Sequence, residues 1–286
     1  MSLPTRQSAH SLYADDGRRL AATLFEPSAP PQAAIVVCGA LGVPRRYYRS
    51  FASWMAERGV AVLTFDYRGS GESLDGPIRQ DPATLYDWGR YDMDAAITAA
   101  RSRWPDAPTW ALCHSFGGQA LGLTPHRAEL SGAIVVASAS GDMALYDTRF
   151  GHVMRFTMHV AIPAVTRAVG YMPGRLGLGT DLPAGVVRQW SEWCRTPNYL
   201  VGALGETGHA DLAIPMHFFR IADDTYAPER PARALEGWYQ RATVRSRTLH
   251  PREVGLRKLG HFGLFRPGKT VAFWQEFHAI IASNFP

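Results

Sequence analysis

Cysteine is scarce: the chain has three in 286 residues, an odd number and too few for a disulfide framework. A core must therefore hold the chain together, and a hydrophobic fraction of 46% is enough to build one. No stretch approaches the roughly twenty apolar residues of a membrane span. Residues 1–15 contain no apolar segment of signal-peptide length. A soluble, cytoplasmic protein is the expectation. Long runs of one charge are also missing. The formal net charge of +5 is spread along the chain. Its densest basic stretch, residues 241–258, is broken by apolar residues, as on a solvated strand face. Nucleic acid is not expected as a partner. No Cys/His group has zinc spacing, and no glycine-rich phosphate loop follows a strand, so neither a metal nor a nucleotide cofactor is implied. Internal repeats and low-complexity segments are absent too. The length then points to one large domain with room for an insertion.

What the chain does contain is alternation. An Asp16-Gly17 turn joins two alternating segments near the start, the signature of a hairpin. Ala33–Cys38, Val60–Phe65 and residues 133–137 are short apolar runs of the kind buried on both faces in a parallel sheet. Helical spacing marks residues 47–58, 88–103, 229–240 and 270–283 between and after them. Strands alternating with helices imply an α/β fold with a mainly parallel sheet and right-handed crossovers. Thr243–Leu249 alternates in a way that suits an exposed edge strand.

The alternation stops across residues 142–212, which are rich in Met, Trp, Tyr and Gly. Phe150, Val153, Met154, Met158, Ile162 and Val165 form one helical stripe, with a kink expected at Pro163. Asp181 is expected to cap a second helix carrying Val186, Val187, Trp190, Trp193 and Cys194. This segment reads as a helical cap, residues 142–213, inserted into a core of residues 1–141 and 214–286. It would lie over the strand C-termini, where open α/β sheets bind ligands.

The chemistry centres on Cys113-His114-Ser115-Phe116-Gly117-Gly118, where a buried strand turns abruptly into a helix. A serine on such a turn holds its hydroxyl clear of both elements. Small residues must flank it two positions either side. Gly117 fills one slot and Cys113 the other, where glycine is usual. A serine hydroxyl needs a base, and His261, in Gly260-His261-Phe262-Gly263, is the best placed. A carboxylate must orient that imidazole. Asp224 stands at a strand end, four residues before Pro228. Adjacent residues in extended chain point opposite ways, so Asp223 and Asp224 cannot both face His261. Asp142 is a third candidate, although its position suits a helix start. His114 reads as a shaping residue that points away from the substrate.

Five segments now stand in order: Cys38-Gly39-Ala40-Leu41-Gly42, Asp66-Tyr67-Arg68-Gly69-Ser70-Gly71-Glu72-Ser73, the Ser115 turn, Asp224 to Pro228, and the His261 loop. In them the chain resembles the α/β-hydrolase superfamily, in the branch of serine esterases, monoglyceride-lipase-like enzymes and serine aminopeptidase-like proteins. The resemblance implies a mostly parallel eight-stranded sheet flanked by helices, with the cap inserted late in the sheet. It implies a catalytic triad of Ser115, Asp224 and His261. It also implies an oxyanion hole formed by the backbone N–H of Phe116 and of Ala40, or else Leu41. Cys38 stands where a histidine commonly precedes the glycine of that loop.

The expected activity is hydrolysis of a carboxylic ester through an acyl-enzyme on Ser115, with no cofactor and a small-molecule ester or acyl substrate. Leu41, Phe156, Met158, Trp190 and Trp193 are the expected lining of an apolar acyl pocket. Acyl transfer with the same triad, and a non-catalytic ligand-binding protein on this fold, are the alternatives. The oligomeric state cannot be read from the sequence.

Overall fold

The computed structural model describes residues 4–147, 149–177 and 179–283. The described residues form ten strands: β1 Thr5–Tyr13, β2 Arg19–Pro27, β3 Ala33–Cys38, β4 Val60–Phe65, β5 Thr109–His114, β6 Gly132–Val136, β7 Tyr171–Met172, β8 Leu182–Pro183, β9 Pro215–Ile221 and β10 Thr243–Leu249. Eight of them form one sheet in the order β1-β2-β4-β3-β5-β6-β9-β10. β1 and β2 pair antiparallel, as do β2 and β4. Every pairing from β4 through β3, β5, β6 and β9 to β10 is parallel. The hairpin strand β1 is longer than its sequence pattern shows. Most of its residues are exposed on both faces, so it carries no alternation to read.

β3, β4 and β5 are buried at every position, as their continuous apolar runs require. The helices Arg49–Ala56 and Val271–Ala282 seal one face of the sheet with Phe51, Met55, Trp274 and Phe277. The helices Met93–Arg103 and Phe116–Ala120 cover the other with Met93, Ile97 and Phe116. β10 lies at the sheet edge, and its first five residues are exposed. The strand C-termini of β3 and β5 therefore sit side by side in the middle of the sheet, with Cys38 opposite Cys113. Those ends carry the loops that build the site.

Between β6 and β9 the chain leaves the sheet. It forms the helix Arg149–Phe156, a wide π turn Thr157–Ala161, the helix Ile162–Val169, the two-residue ladder of β7 and β8, and the helices Ala184–Arg195 and Tyr199–Leu204. The distortion expected at Pro163 falls in the turn before it. Proline offers no N–H to the preceding turn and its ring crowds that turn's carbonyl, so the ladder widens there. Asp181 does not cap the next helix. Its carboxylate accepts from the N–H of Gly174 at 2.8 Å, and the helix starts at Ala184. Met158, Ile162 and Trp193 join the same apolar cluster as Phe116, which ties the inserted segment to the sheet.

Candidate active site

Ser115 sits between β5 and the helix Phe116–Ala120 with φ 54° and ψ −110°, a conformation that L residues seldom adopt. The strain projects Oγ away from both elements. The two glycines that follow make the turn feasible. A Cβ on Gly117 would lie 2.1 Å from the carbonyl oxygen of Cys38, and one on Gly118 would lie 2.4 Å from Ser138 Oγ. Only glycines let the helix descend this close to β3 and β6. Cys113, fully buried, is small enough for the position before the turn.

His261 arrives from the short helix Gly260–Gly263. Its Nε2 is 2.9 Å from Ser115 Oγ, and its Nδ1 is 2.7 Å from Asp224 Oδ2. The other Asp224 oxygen accepts from the N–H groups of Tyr226 at 2.8 Å and Ala227 at 3.1 Å. A carboxylate can only accept, so Nδ1 carries the proton. Nε2 then offers its lone pair to the Ser115 hydroxyl. Asp224 and His261 are buried, at 5% and 8% exposure, which keeps this chain of hydrogen bonds out of competition with water.

The neighbouring Asp223 turns the other way, as the extended backbone requires. Its two oxygens accept from the N–H groups of Leu259 and Gly260, both at 2.9 Å. It braces the loop that presents His261, a role the sequence reading did not assign. Asp142 is not near His261 in any hydrogen bond. It accepts from Ala144 N–H and Asn198 N–H, each at 2.9 Å, as a local cap.

His114 is fully buried, and burial lowers its pKa to about 3, so the ring is neutral. Its Nε2 is 3.0 Å from the carbonyl oxygen of His261, which can only accept, so Nε2 holds the proton. Its Nδ1 therefore accepts from the Tyr48 hydroxyl, 2.8 Å away. Tyr48 Oη in turn accepts from the N–H of Ala40 at 2.9 Å. One directed chain thus runs from Ala40 through Tyr48 and His114 to the backbone of His261. It corrects the expectation for Ala40, whose N–H is engaged by Tyr48 rather than turned toward Ser115. Among the described residues, the Leu41 N–H has no partner. The Phe116 N–H, at the first position of its helix, has no intrahelical partner.

Two cavities meet at Ser115. The smaller, of about 70 Å³, is lined by Phe116, Met143, Phe150, Met154, Trp190 and Cys194. A wider cleft of about 360 Å³ runs over Val43, Tyr47, Gly177, Gly179, Phe262 and Arg266. Leu41, Trp190, Tyr226 and His261 border both. A larger groove of about 560 Å³ lies behind the His261 loop and does not reach Ser115. Of the expected acyl-pocket residues, Leu41 and Trp190 line the cavities and three do not. Met158 and Trp193 are buried at 0% and 2% exposure, and Trp193 packs edge-on against Tyr199. Phe156 is 62% exposed and faces outward. Met143, Phe150 and Met154 take their place. Among the described residues, no group of three His, Cys, Asp or Glu side chains is placed to hold a metal ion.

A family model described as serine aminopeptidase, S33, matches residues 29–175, just over half of the chain. The chain belongs to the S33 serine aminopeptidase family. The match takes in the loop after β3, the Ser115 turn and the first part of the inserted segment. A comparison with curated proteins finds no match. Among solved structures, this S33 member is similar to a soluble variant of monoglyceride lipase from Saccharomyces cerevisiae in complex with a substrate analog. The two share 12% identity with a TM-score of 0.71, over 100% of this chain and 97% of that one. It is also similar to a highly thermostable carboxyl esterase from Bacillus coagulans, at 13% identity and a TM-score of 0.64, over 98% of this chain and 99% of that one. An esterase from Exiguobacterium antarcticum aligns over 96% of this chain and 98% of its own at 15% identity, with a TM-score of 0.58. Identities this low establish the shared α/β-hydrolase fold. The family establishes a hydrolase.

Proposed function

We propose that this hydrolase cleaves a carboxylic ester with a short apolar acyl group, through an acyl-enzyme on Ser115. The observation that carries the reading is the 2.9 Å approach of Ser115 Oγ to a His261 Nε2 whose other nitrogen is held by Asp224 at 2.7 Å. His261 takes the hydroxyl proton as Oγ bonds to the ester carbonyl carbon. Asp224 stabilises the imidazolium that forms. Negative charge gathers on the carbonyl oxygen, where the N–H groups of Phe116 and Leu41 are the donors. His261 then gives its proton to the alcohol oxygen as the ester C–O bond breaks and the alcohol departs. Water repeats the sequence: His261 takes its proton, its oxygen bonds to the acyl carbon, and Ser115 Oγ leaves with a proton from His261.

The two cavities supply the substrate preference. The smaller cavity of about 70 Å³ is mostly apolar and borders Ser115, which suits the acyl side. A sealed apolar cavity of roughly 150 Å³ holds benzene, so a pocket less than half that size suits a short acyl group. The wider cleft of about 360 Å³ takes the alcohol part. Residues 142–213 act as a cap in this reading, since Met143, Phe150, Met154 and Trp190 line the smaller cavity.

A fluorophosphonate probe should label the folded protein at Ser115 and leave Ser115→Ala unlabelled. Ser115→Ala and His261→Ala should each lower kcat by several orders of magnitude, and the double variant should be barely worse, because the two act as a unit. Asp224→Asn should lose roughly ten-thousand-fold in kcat, since the imidazole takes the wrong tautomer. Asp223→Asn, which leaves the ring's partner in place, should remain far more active. Absence of labelling, or additive losses, would overturn the assignment. Equal rates on butyrate and octanoate esters would overturn the acyl pocket alone.

A further inference from the structure

The helical stretch that opens the inserted segment is apolar on two sides. Its inner side buries Met158, Ile162 and Thr166 at 0%, 0% and 1% exposure. Its outer side carries Val153, Phe156 and Val160, exposed by 61%, 62% and 48%. Steps of three and four residues put these three on one helical face, and the exposed Ala164 extends the stripe by another step of four. A helix lying on a core turns polar residues to water, whereas this one presents a phenylalanine and two valines, with the exposed His152 and His159 beside them.

The charge around the stripe is one-sided. Between Asp147 and Asp181 the sequence has no Asp or Glu, and it has Arg149, Arg155, Arg167 and Arg175. Arg155 is turned inward, donating to the carbonyls of Met143 and Tyr146. Arg149, Arg167 and Arg175 are exposed, and among the described residues none of them forms an ion pair. Arg149 lies one step of four before Val153, and Arg167 one step of three after Ala164, so cations close the stripe at both ends. The same acid-free segment runs on through Leu176, 55% exposed, to Gly177 and Gly179 at the cleft that reaches Ser115.

We propose that this face docks the protein onto an anionic lipid surface. Val153, Phe156 and Val160 would enter the boundary between headgroups and acyl chains, with Arg149, Arg167 and Arg175 on the lipid phosphates. The charge pattern decides between occupants. A second copy of the chain in a two-fold interface would set this arginine-edged face against itself, and like charges would oppose it. An anionic bilayer offers an apolar layer and negative charge together. No helix of the described residues is long and apolar enough to cross a membrane, so the contact is peripheral. Docking does not depend on the proposed hydrolysis.

The test uses the full chain carrying Ser115→Ala, so that no lipid is consumed. It is sedimented with phosphatidylcholine vesicles with and without about one-third phosphatidylglycerol, at low and high salt. Binding should be at least tenfold tighter to the anionic vesicles and should fall as salt rises. Phe156→Glu should weaken it at least tenfold, and Arg149→Gln with Arg167→Gln should weaken it by more than tenfold together. Phe156→Ser serves where the glutamate variant does not fold, as judged by circular dichroism. In the Ser115 background, Phe156→Glu should hydrolyse a water-soluble short-chain ester at the unchanged rate, because Phe156 lines neither cavity. No sedimentation with either vesicle, or undiminished binding by the Phe156 variants, would overturn the proposal. So would a concentration-dependent dimer that Phe156→Glu dissolves in a protein that binds no vesicles.

Discussion

Replacing Ser115 with alanine and with glycine separates strain from chemistry. Both changes remove the hydroxyl and its hydrogen bond to His261, so that loss cancels when the two variants are compared. They differ in what the backbone conformation costs. At φ 54° and ψ −110° an alanine keeps the Cβ strain of the native serine, and a glycine is free of it. Strain of this kind is worth roughly 1–3 kcal/mol. The glycine in turn loses about 0.4–1 kcal/mol through the greater freedom of its unfolded chain. The balance favours Ser115→Gly by about 1 kcal/mol, or a midpoint about 2 °C higher in a chain of 286 residues. Urea unfolding of both variants, with equal m values, gives the difference directly. A glycine variant equal to or less stable than the alanine variant would refute the idea that the turn stores strain at Ser115. Both variants should be inactive, which makes the gain in stability independent of any rescue of function.

Tyr48→Phe removes one oxygen and leaves two buried groups without partners, the Ala40 N–H and His114 Nδ1. At about 1–3 kcal/mol for each of the two orphaned groups, stability should fall by about 2–6 kcal/mol, and a loss well under 1 kcal/mol in urea unfolding would break the proposed chain from Ala40 to His261. Burial lowers the pKa of His114 to about 3 and of His209 to about 4, so both are neutral in the folded protein where the unfolded chain takes up protons. Their folded pKa values lie below the unfolded value near 6.5, so the stability present above that pH is lost as pH falls toward 4. His209→Gln should flatten the fall in unfolding free energy between pH 6 and 4 by about one proton's worth, and an unchanged slope would count against the neutral buried imidazole.

The order of strands, the Ser115 turn and the positions of Asp224 and His261 could be read in the sequence because each is announced by a local pattern. Fully buried strands are continuous apolar runs, and β3, β4 and β5 are buried at every position. The inserted segment resists the same reading. Its first helix is apolar on both sides, so a stripe of Val153, Met154 and Met158 does not say which side meets the core. Phe156 is exposed and Met158 buried, although both are large, apolar and two residues apart. Trp190 and Trp193 repeat the problem on the helix Ala184–Arg195. They lie one turn apart, yet Trp190 borders the cavities and Trp193 packs against Tyr199. The direction of the Ala40 N–H was out of reach for a different reason. A peptide plane is oriented by its acceptor, and the acceptor here is a hydroxyl on Tyr48, eight residues away, held in turn by His114.

His261 is gripped at three places that have no common sequence signature. Asp224 holds its ring, Asp223 holds the N–H groups of the two residues before it, and His114 holds its carbonyl oxygen. The three anchors come from the loop after β9 and from the end of β5, so His261 is referenced to the same two strand ends that carry Asp224 and Ser115. A loop with glycines at 260 and 263 would otherwise be free to wander, and in the proposed mechanism a base displaced by 1 Å would lose most of its effect. His114, adjacent to Ser115, also reaches the Ala40 loop through Tyr48. His114, read from the sequence as a shaping residue, therefore links the His261 backbone to the loop that carries the Leu41 N–H. Its neutral, fully buried ring can do this because both of its nitrogens are satisfied, one as donor and one as acceptor.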